Sequence, residues 1–449
     1  MDLRSVLLTD LYQLTMLEAY WREAFTEPAV FELFVRKLPP NRNFLVAAGL
    51  EGVLGYLQQA RFLPEELEYL SQTRRFSDRF LEWLAEWRFE GDVDALPEGT
   101  IFFPDEPIVR ITAPMPQAQL VETRLVNLIQ FPTMVASKAA RCVLAAPDRT
   151  LVEFGARRAH GAEAAMAAAR AACAAGFRGT SNVLAGQEWS LPIFGTMAHS
   201  YVMSHDEEWQ AFVAFGRAQP NNVVLLIDTY DEMEAIGQVV RAAEILREEG
   251  IRVRAVRLDS GDLNALSHAV RRRLDAAGWP DIEIFASGDL DEWALKQLVE
   301  QKAPIRGFGV GTKLTTCSDA PYLGIVYKLQ EYAGRARRKT SHGKQTWPGR
   351  KQVHRIFDSK TDGMSHDVLT LEEDRSEGQP LLVPVMRSGR RVTPAESIDD
   401  IRRRVAQGLK RLPPALRELD PAPPYKVEVA PSVRELAAEV DRRHRNRSM

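Results

Sequence analysis

Between about Val152 and Thr312 the chain repeats one pattern: a short apolar run, a cluster of Gly, Asp, Ser or His, then an amphipathic stretch of helical period. NVVLLIDTYD, ending at Asp231, precedes EMEAIGQVVRAAEILREEG, and VRAVRLDSGD (253–262) precedes LNALSHAVRRRLDAAG. IEIFASGD (282–289) comes before EWALKQLVEQ, and RGFGVGT (306–312) closes the series. Strands apolar on both faces predict a parallel sheet covered by helices. The rhythm fits an open doubly wound sheet or a closed barrel equally well. In both, the residues that follow each apolar run lie at the carboxyl ends of strands, where active sites form. Asp228, Asp259, Ser287, Gly288, Asp289 and the GVGT run are so placed.

The first 130 or so residues read differently. Helical stretches near TDLYQLTMLEAYW and GLEGVLGYLQQA alternate with the strands AVFELFVRKL and PIVRITAP. After Thr312 comes a further strand over 322–329, then a basic, Gly-containing loop over 335–355. Short strands (VLTLEE, PLLVPVMRSG) and two helices follow to the end. We expect residues 1–130 to form an N-terminal layer, residues 131–335 the βα core, and residues 336–449 a tail that completes the N-terminal layer.

The 449 residues exceed one ordinary core, and 45% hydrophobic with 27% charged residues is a globular composition. A net charge of −3 provides no global field that would gather the chain onto nucleic acid or an anionic membrane, so any anion site must be local. Three widely spaced cysteines, Cys142, Cys173 and Cys317, lack metal or redox spacing and read as buried thiols. No run approaches the ~18 apolar residues of a membrane span, and the apolar run near the N-terminus is too brief for a secretion signal. The expectation is a cytoplasmic protein with neither membrane nor nucleic-acid partners.

Nucleophile-elbow, zincin, Walker and dinucleotide fingerprints are missing. GFGVGT instead offers small residues where a backbone can approach an anion, and its threonine a hydroxyl for a phosphate oxygen; an ordinary tight turn is the plainer reading. RLDSGD sets two carboxylates three residues apart around a Ser-Gly turn, suited either to ribose hydroxyls and Mg²⁺ or to helix capping. SGD recurs at Ser287–Asp289. EFGARRAHG (153–161) places Phe154 beside Arg157 and Arg158, an aromatic face next to a pair able to grip a carboxylate or phosphate, or simply a surface salt-bridge pair. FGTMAHSYVMSH contributes His199, expected at a strand end as an acid–base or phosphoryl-accepting group, with a packed histidine as the alternative.

TDLYQLTM (9–16), EFGARRAHG, FRGTSNVLAG (177–186), GTMAHS, LLIDTYD, RLDSGD, FASGDLDE, GFGVGT and RKTSHGKQTWPGRKQV (338–353) together resemble, in this order, the motif series of nicotinate phosphoribosyltransferases. The resemblance spans nearly the whole chain. It implies an α/β fold, an irregular α/β barrel with an α/β sandwich built from both chain ends, and a homodimer with shared active sites. It implies nicotinate, phosphoribosyl pyrophosphate and ATP as substrates, with Mg²⁺ bound mainly through substrate phosphates. Residue by residue, Tyr12 from the neighbouring subunit and Phe154 would clamp the pyridine ring, with Arg257 and one of Arg157 and Arg158 near its carboxylate and the phosphates. His199 would be phosphorylated by ATP and oriented by Asp228. Asp259 and Asp262 would face ribose or Mg²⁺, and Ser260, Gly261, Gly288, Asp289, Gly309, Gly311 and Thr312 would cradle ribose and phosphate.

Ser181 bears on the substrate. An acid there would accept from an amide but repel a carboxylate, so the neutral hydroxyl favours nicotinate over nicotinamide. A quinolinate enzyme would need a more basic pocket and is usually shorter. A barrel isomerase or aldolase would need a Schiff-base lysine or a Glu/His pair, and Lys313 is the only obvious lysine near a strand end. In the basic loop, Lys339, Lys344 and Lys351 are candidates for phosphate contact beside the plainer reading of a solvated surface.

Overall fold

The computed structural model describes residues 5–341 and 343–447, and the chain divides into two compact units, Lys138–Pro321 and Met1–Ser137 with Tyr322–Met449. The first unit holds six parallel strands in the order Gly179–Thr180, Thr150–Glu153, Gly307–Val310, Glu283–Ala286, Val253–Leu258, Val223–Leu226. Their residues are mostly buried, as strands covered on both faces require. The curl is that of a half-closed, irregular barrel.

Three of the strands, Val223–Leu226, Val253–Leu258 and Glu283–Ala286, lead through a polar turn into a helix that an aspartate starts. Asp231, Asp262 and Asp291 each accept two backbone N–H groups, those of Met233 and Glu234, Asn264 and Ala265, and Trp293 and Ala294. Such a cap contributes about 1 kcal/mol by satisfying donors that the first helical turn leaves open. The helix Glu232–Glu248 turns Ala235, Ile236, Val239, Ala242, Ala243 and Leu246 inward at helical spacing. The alanine-rich helix Ala162–Ala174 buries Ala168, Ala169, Ala171 and Ala172, small side chains that let it pack closely. Lys138, Arg141 and Glu292, all nearly inaccessible, are paired: Lys138 Nζ reaches Glu292 at 2.7 Å and Asp319 at 2.7 Å, and Arg141 Nε reaches Glu292 at 3.1 Å.

The second unit is layered around a seven-stranded antiparallel sheet ordered Arg335–Ala336, Ile325–Tyr332, Pro28–Val35, Pro107–Pro114, Asp92–Ala95, Val383–Arg387, Arg390–Arg391. Val383 and Met386, from the C-terminal part of the chain, pair with Ala95 and Val93. A four-stranded sheet, Gln379–Pro380, Lys351–Phe357, Met364–Leu371 and Val427–Val429, lies in the same unit. The strand over 325–332, expected within the 131–335 core, instead pairs with Pro28–Val35. Its sequence IVYKLQEY mixes polar and apolar positions, the pattern of an antiparallel strand with one half-open face.

Lys351, a candidate phosphate contact, is likewise interior. Its ammonium pairs with Glu32 at 2.8 Å and donates to the carbonyls of Trp347 at 2.6 Å and Gly349 at 3.0 Å, which accounts for all three of its donors. Burial holds its pKa below the ordinary lysine value even beside Glu32. The three cysteines are buried free thiols. Among the described residues no helix is long and apolar enough to cross a membrane.

Glu106 is fully buried and accepts the Phe103 N–H at 2.9 Å. Burial, and then the neighbouring Asp367 carboxylate, push its pKa well above the ordinary glutamate range. Asp367 is itself committed to Arg355 Nε at 2.9 Å and the Tyr425 hydroxyl at 3.1 Å. A raised acid stabilises the fold fully below its unfolded pKa and loses that contribution as pH rises through its folded value. Thermal midpoints measured from pH 5 to 9 should therefore fall toward alkaline pH more steeply in the native protein than in Glu106→Gln. Parallel curves would show that Glu106 is not the group responsible.

Candidate active site

Around the carboxyl rim of the parallel strands, a turn residue precedes each capping aspartate by three positions. Asp228 precedes the cap Asp231, Asp259 precedes Asp262, and Gly288 precedes Asp291. In each pair the second member starts a helix while the first sits on the turn above the sheet. In RLDSGD, the helix cap falls to Asp262 and leaves Asp259 on the turn. Asp262 Oδ1 takes the Asn264 and Ala265 N–H groups at 3.1 Å each, so it is first a helix cap. Asp259 faces inward, toward Arg257.

Arg257 organises the rim. Its guanidinium donates to Ser287 Oγ at 2.8 Å, Thr196 Oγ1 at 3.3 Å and Asp259 Oδ1 at 2.9 Å, and its carbon lies 5.6 Å from the centre of the Phe154 ring. The Ser287 hydroxyl also donates to Asp259. Asp228 joins the next strand: its Oδ2 accepts the Asp259 N–H at 2.9 Å and the Ser260 hydroxyl at 2.7 Å. Phe154, only partly exposed, stands beside Phe285 with ring centres 6.0 Å apart. The result is one continuous surface of cation, carboxylates, hydroxyls and an aromatic face.

Close backbone approach explains two glycines. A Cβ on Gly309 would lie 2.3 Å from the Phe154 ring, and one on Gly288 would lie 2.0 Å from the Asp259 carbonyl oxygen. Gly288 also has φ +100, a conformation closed to most side chains. Next to these, Arg158 donates to Thr312 Oγ1 at 3.1 Å, which brings the arginine turn Ala156–Arg158 to the GVGT segment. Arg157 and Arg158 are both exposed. Lys313 follows directly, 3.5 Å from Asp289 and 3.2 Å from Asp291. Burial opposes its charge, but those carboxylates prevail and raise its pKa above the ordinary lysine value.

His199 departs from expectation. The run before it forms only a single bridge, Ile193 with Thr180, and His199 opens the short helix His199–Met203. Pro192 and Phe194 both bond the backbone of Thr180. Nor does the structure place Asp228 on the imidazole; Thr229 Oγ1 meets Nδ1 at 3.2 Å, while Asp228 is turned to Ser260 and Asp259. The link is thus indirect, through the residue next in sequence.

Ser181 is partly exposed beyond the strand Gly179–Thr180, its N–H bonded to the Glu153 carbonyl at 2.9 Å. Gly261, in the left-handed region at φ +78, and Gly311, where a Cβ would meet the Phe154 carbonyl oxygen at 3.0 Å, shape the adjoining turns. Tyr12 lies in the other compact unit, on the helix Leu11–Arg22, half exposed, with its hydroxyl 3.0 Å from Gln13 Nε2. Motif spacing missed Ser287 and Thr196 as partners of Arg257, and the buried Glu153. The Ser287 signal was available in its strand-end position; Thr196 carries none.

Three family models cover the chain: the nicotinate phosphoribosyltransferase N-terminal domain over residues 7–130, the nicotinate phosphoribosyltransferase family over 150–351, and its C-terminal domain over 374–437. A Mycobacterium tuberculosis protein named nicotinate phosphoribosyltransferase pncB2 is 49% identical over 93% of this chain and 89% of its own. A Bacillus subtilis nicotinate phosphoribosyltransferase is 40% identical over 83% of this chain and 78% of its own. The crystal structure of human nicotinic acid phosphoribosyltransferase superposes with a TM-score of 0.87 at 28% identity, covering 96% of this chain and 99% of that one.

The close approach at Gly288 generates a stability prediction. Gly288→Ala and Gly278→Ala both place a side chain at positive φ, at a cost of about 1–3 kcal/mol. Gly278 has open space around its would-be Cβ, whereas Gly288 meets the Asp259 carbonyl. Urea denaturation should show Gly288→Ala losing clearly more than Gly278→Ala. Equal losses would mean that the rim yields without resistance.

Proposed function

The chain belongs to the nicotinate phosphoribosyltransferase family, and on that premise we propose how its barrel rim carries out the reaction. The enzyme joins nicotinate to the ribose 5-phosphate of phosphoribosyl pyrophosphate, giving nicotinate mononucleotide and pyrophosphate in NAD salvage. The observation that carries the mechanistic reading is Arg257, fixed between Asp259 and Ser287 and lying over Phe154. That arrangement offers a flat apolar face for a pyridine ring beside a cation for its carboxylate.

Nicotinate rests against Phe154, with Ser181 and one of Arg157 and Arg158 at its carboxylate. The lone pair of the ring nitrogen attacks the anomeric carbon as the C–O bond to pyrophosphate breaks, and the pyrophosphate leaves with the bonding pair. Positive charge builds on the ribose in between, and the Asp259 carboxylate lies on the rim where it can stabilise that charge. Ser260, Gly261, Gly288, Asp289, Gly309, Gly311 and Thr312 hold the ribose and its 5-phosphate along the carboxyl rim of the sheet.

Among the described residues no group of three or more His, Cys, Asp or Glu could hold a metal by itself. Exposed Asp289, and Asp262 with one carboxylate oxygen given to its cap, fit a Mg²⁺ held chiefly by substrate phosphates. When bound, that ion neutralises the departing pyrophosphate.

In the proposed coupling, His199 Nε2 takes the γ-phosphoryl group of ATP, releasing ADP, and water later cleaves the phosphohistidine to phosphate. The Thr229 hydroxyl at Nδ1 supports Nε2 as the reacting nitrogen. We further propose a homodimer in which Tyr12 of a second copy covers the other face of the pyridine; its half-exposed ring supports that role. The buried free thiols agree with a cytoplasmic setting.

Incubation with phosphoribosyl pyrophosphate and either nicotinate or nicotinamide, with and without ATP, reads mononucleotide and pyrophosphate directly. Nicotinate should give equimolar products, faster with ATP. His199→Ala should lose the ATP stimulation and keep slow ATP-independent transfer; full stimulation would remove the phosphoryl role. Ser181→Asp should weaken nicotinate use relative to nicotinamide by tenfold or more, on the order of one charged contact, and an unchanged preference would remove Ser181 from the pocket.

A further inference from the structure

Beneath the proposed nicotinate slot lies a carboxylate that the reaction itself does not use. Glu153 is completely buried at the end of the strand Thr150–Glu153. One of its carboxylate oxygens accepts the Gly155 N–H, and the other accepts the Thr180 hydroxyl at 2.5 Å. Its backbone is held on both sides, in register with Val310 and with Thr180. The Ser181 N–H reaches the Glu153 carbonyl at 2.9 Å, and the Phe154 N–H reaches the Val310 carbonyl at 2.9 Å. Thr180 Oγ1 in turn accepts the Asn182 N–H at 3.0 Å, and Asn182 caps the next helix.

Three parts of the slot thus meet at one side chain. Phe154 is its immediate neighbour in sequence. Gly155, held by one oxygen, starts the turn Ala156–Arg158 that carries both arginines. Thr180, held by the other, precedes Ser181. We infer that Glu153 is the positioning residue that fixes the distance between Phe154, the arginine turn and Ser181, and so sets selectivity for the acid form of the pyridine. The inference rests on the proposed function of the site.

The chemistry accounts for the residue type. Two donors, an N–H and an O–H, converge from opposite sides on a site closed to water. A carboxylate has acceptors on both oxygens and no hydrogen of its own. A glutamine in its place would accept from Gly155 and turn its NH₂ toward Thr180 Oγ1, taking away the acceptor of the Thr180 hydroxyl hydrogen. The burial of Glu153 raises its pKa, opposed by the Thr180 and Gly155 hydrogen bonds, so those two donors matter to its charged form. A serine or threonine would be too short to bridge both strands.

A purely structural brace would alter stability or affect both substrates alike; a positioning residue changes the recognition of one. The test is steady-state kinetics of the full-length protein with nicotinate, nicotinamide and phosphoribosyl pyrophosphate, alongside thermal midpoints, for Glu153→Gln, Thr180→Val, Thr180→Ser and the double variant Glu153→Gln/Thr180→Val. Glu153→Gln and Thr180→Val should each raise KM for nicotinate about tenfold, the order of one lost hydrogen bond. They should narrow the preference over nicotinamide and leave KM for phosphoribosyl pyrophosphate within about twofold. Thr180→Ser, which keeps the hydroxyl, should recover most of the affinity lost in Thr180→Val. The double variant should be no worse than the poorer single one, because both remove the same contact.

Parallel changes in both substrates, an unchanged nicotinate KM in folded variants, or additive effects in the double variant would each overturn the inference. Should Glu153→Gln fail to fold, the Thr180 pair decides the matter. Native protein that makes no nicotinate mononucleotide would instead defeat the proposed function, a result separable from these because it appears before any substitution.

Discussion

A guanidinium in a largely enclosed place must have its donors met, and this requirement shapes the rim of the parallel sheet. Arg257 is satisfied by groups from three separate stretches of chain: Thr196 before the short histidine helix, Asp259 on its own turn, and Ser287 just past the neighbouring strand. Each partner is in turn constrained. Asp259 is held through its N–H by Asp228, and Ser287 also donates to Asp259. A charged group that cannot move without breaking several hydrogen bonds makes a fixed reference for anything that stacks on Phe154 or bonds near it. The glycines at 288 and 309 belong to the same constraint, since the backbone must come in close for the network to close.

Much of this was legible from the pattern of residues. The strands Val223–Leu226, Val253–Leu258, Glu283–Ala286 and Gly307–Val310 are apolar runs with polar exits, and parallel strands under helices need little else. The place of Asp228, Asp259 and Gly288 follows from that alone. Other features depend on tertiary pairing that local pattern does not encode. The run before His199 looks like another strand, but it finds only one bridge to Thr180, because the available edge there is two residues long. Lys351 sits in a basic segment that reads as a solvated loop, yet a distant acid, Glu32, draws it inside. Ile325–Tyr332 follows the barrel in sequence and pairs with Pro28–Val35 because its free edge and mixed faces match that sheet.

The carboxylates illustrate the same boundary. Spacing alone left RLDSGD between capping and catalysis; the fold shows that an interval of three residues allows both, one acid above the sheet and one starting the helix. Glu153 was invisible for the opposite reason. It sits inside a motif noted for its aromatic and basic members, and only the neighbouring strand reveals that two donors converge on it.

The partner of His199 is a hydroxyl where a carboxylate was expected. A carboxylate can only receive a hydrogen, and so locks an imidazole into one tautomer. A threonine hydroxyl is a rotor: it receives a hydrogen when Nδ1 carries one and offers its own when Nδ1 is bare. In the proposed coupling the ring would gain and shed a substituent at Nε2, and redistribute its proton as it does so, without casting off its tether. A reversible reaction at that nitrogen would need no reorganisation of the turn beneath it.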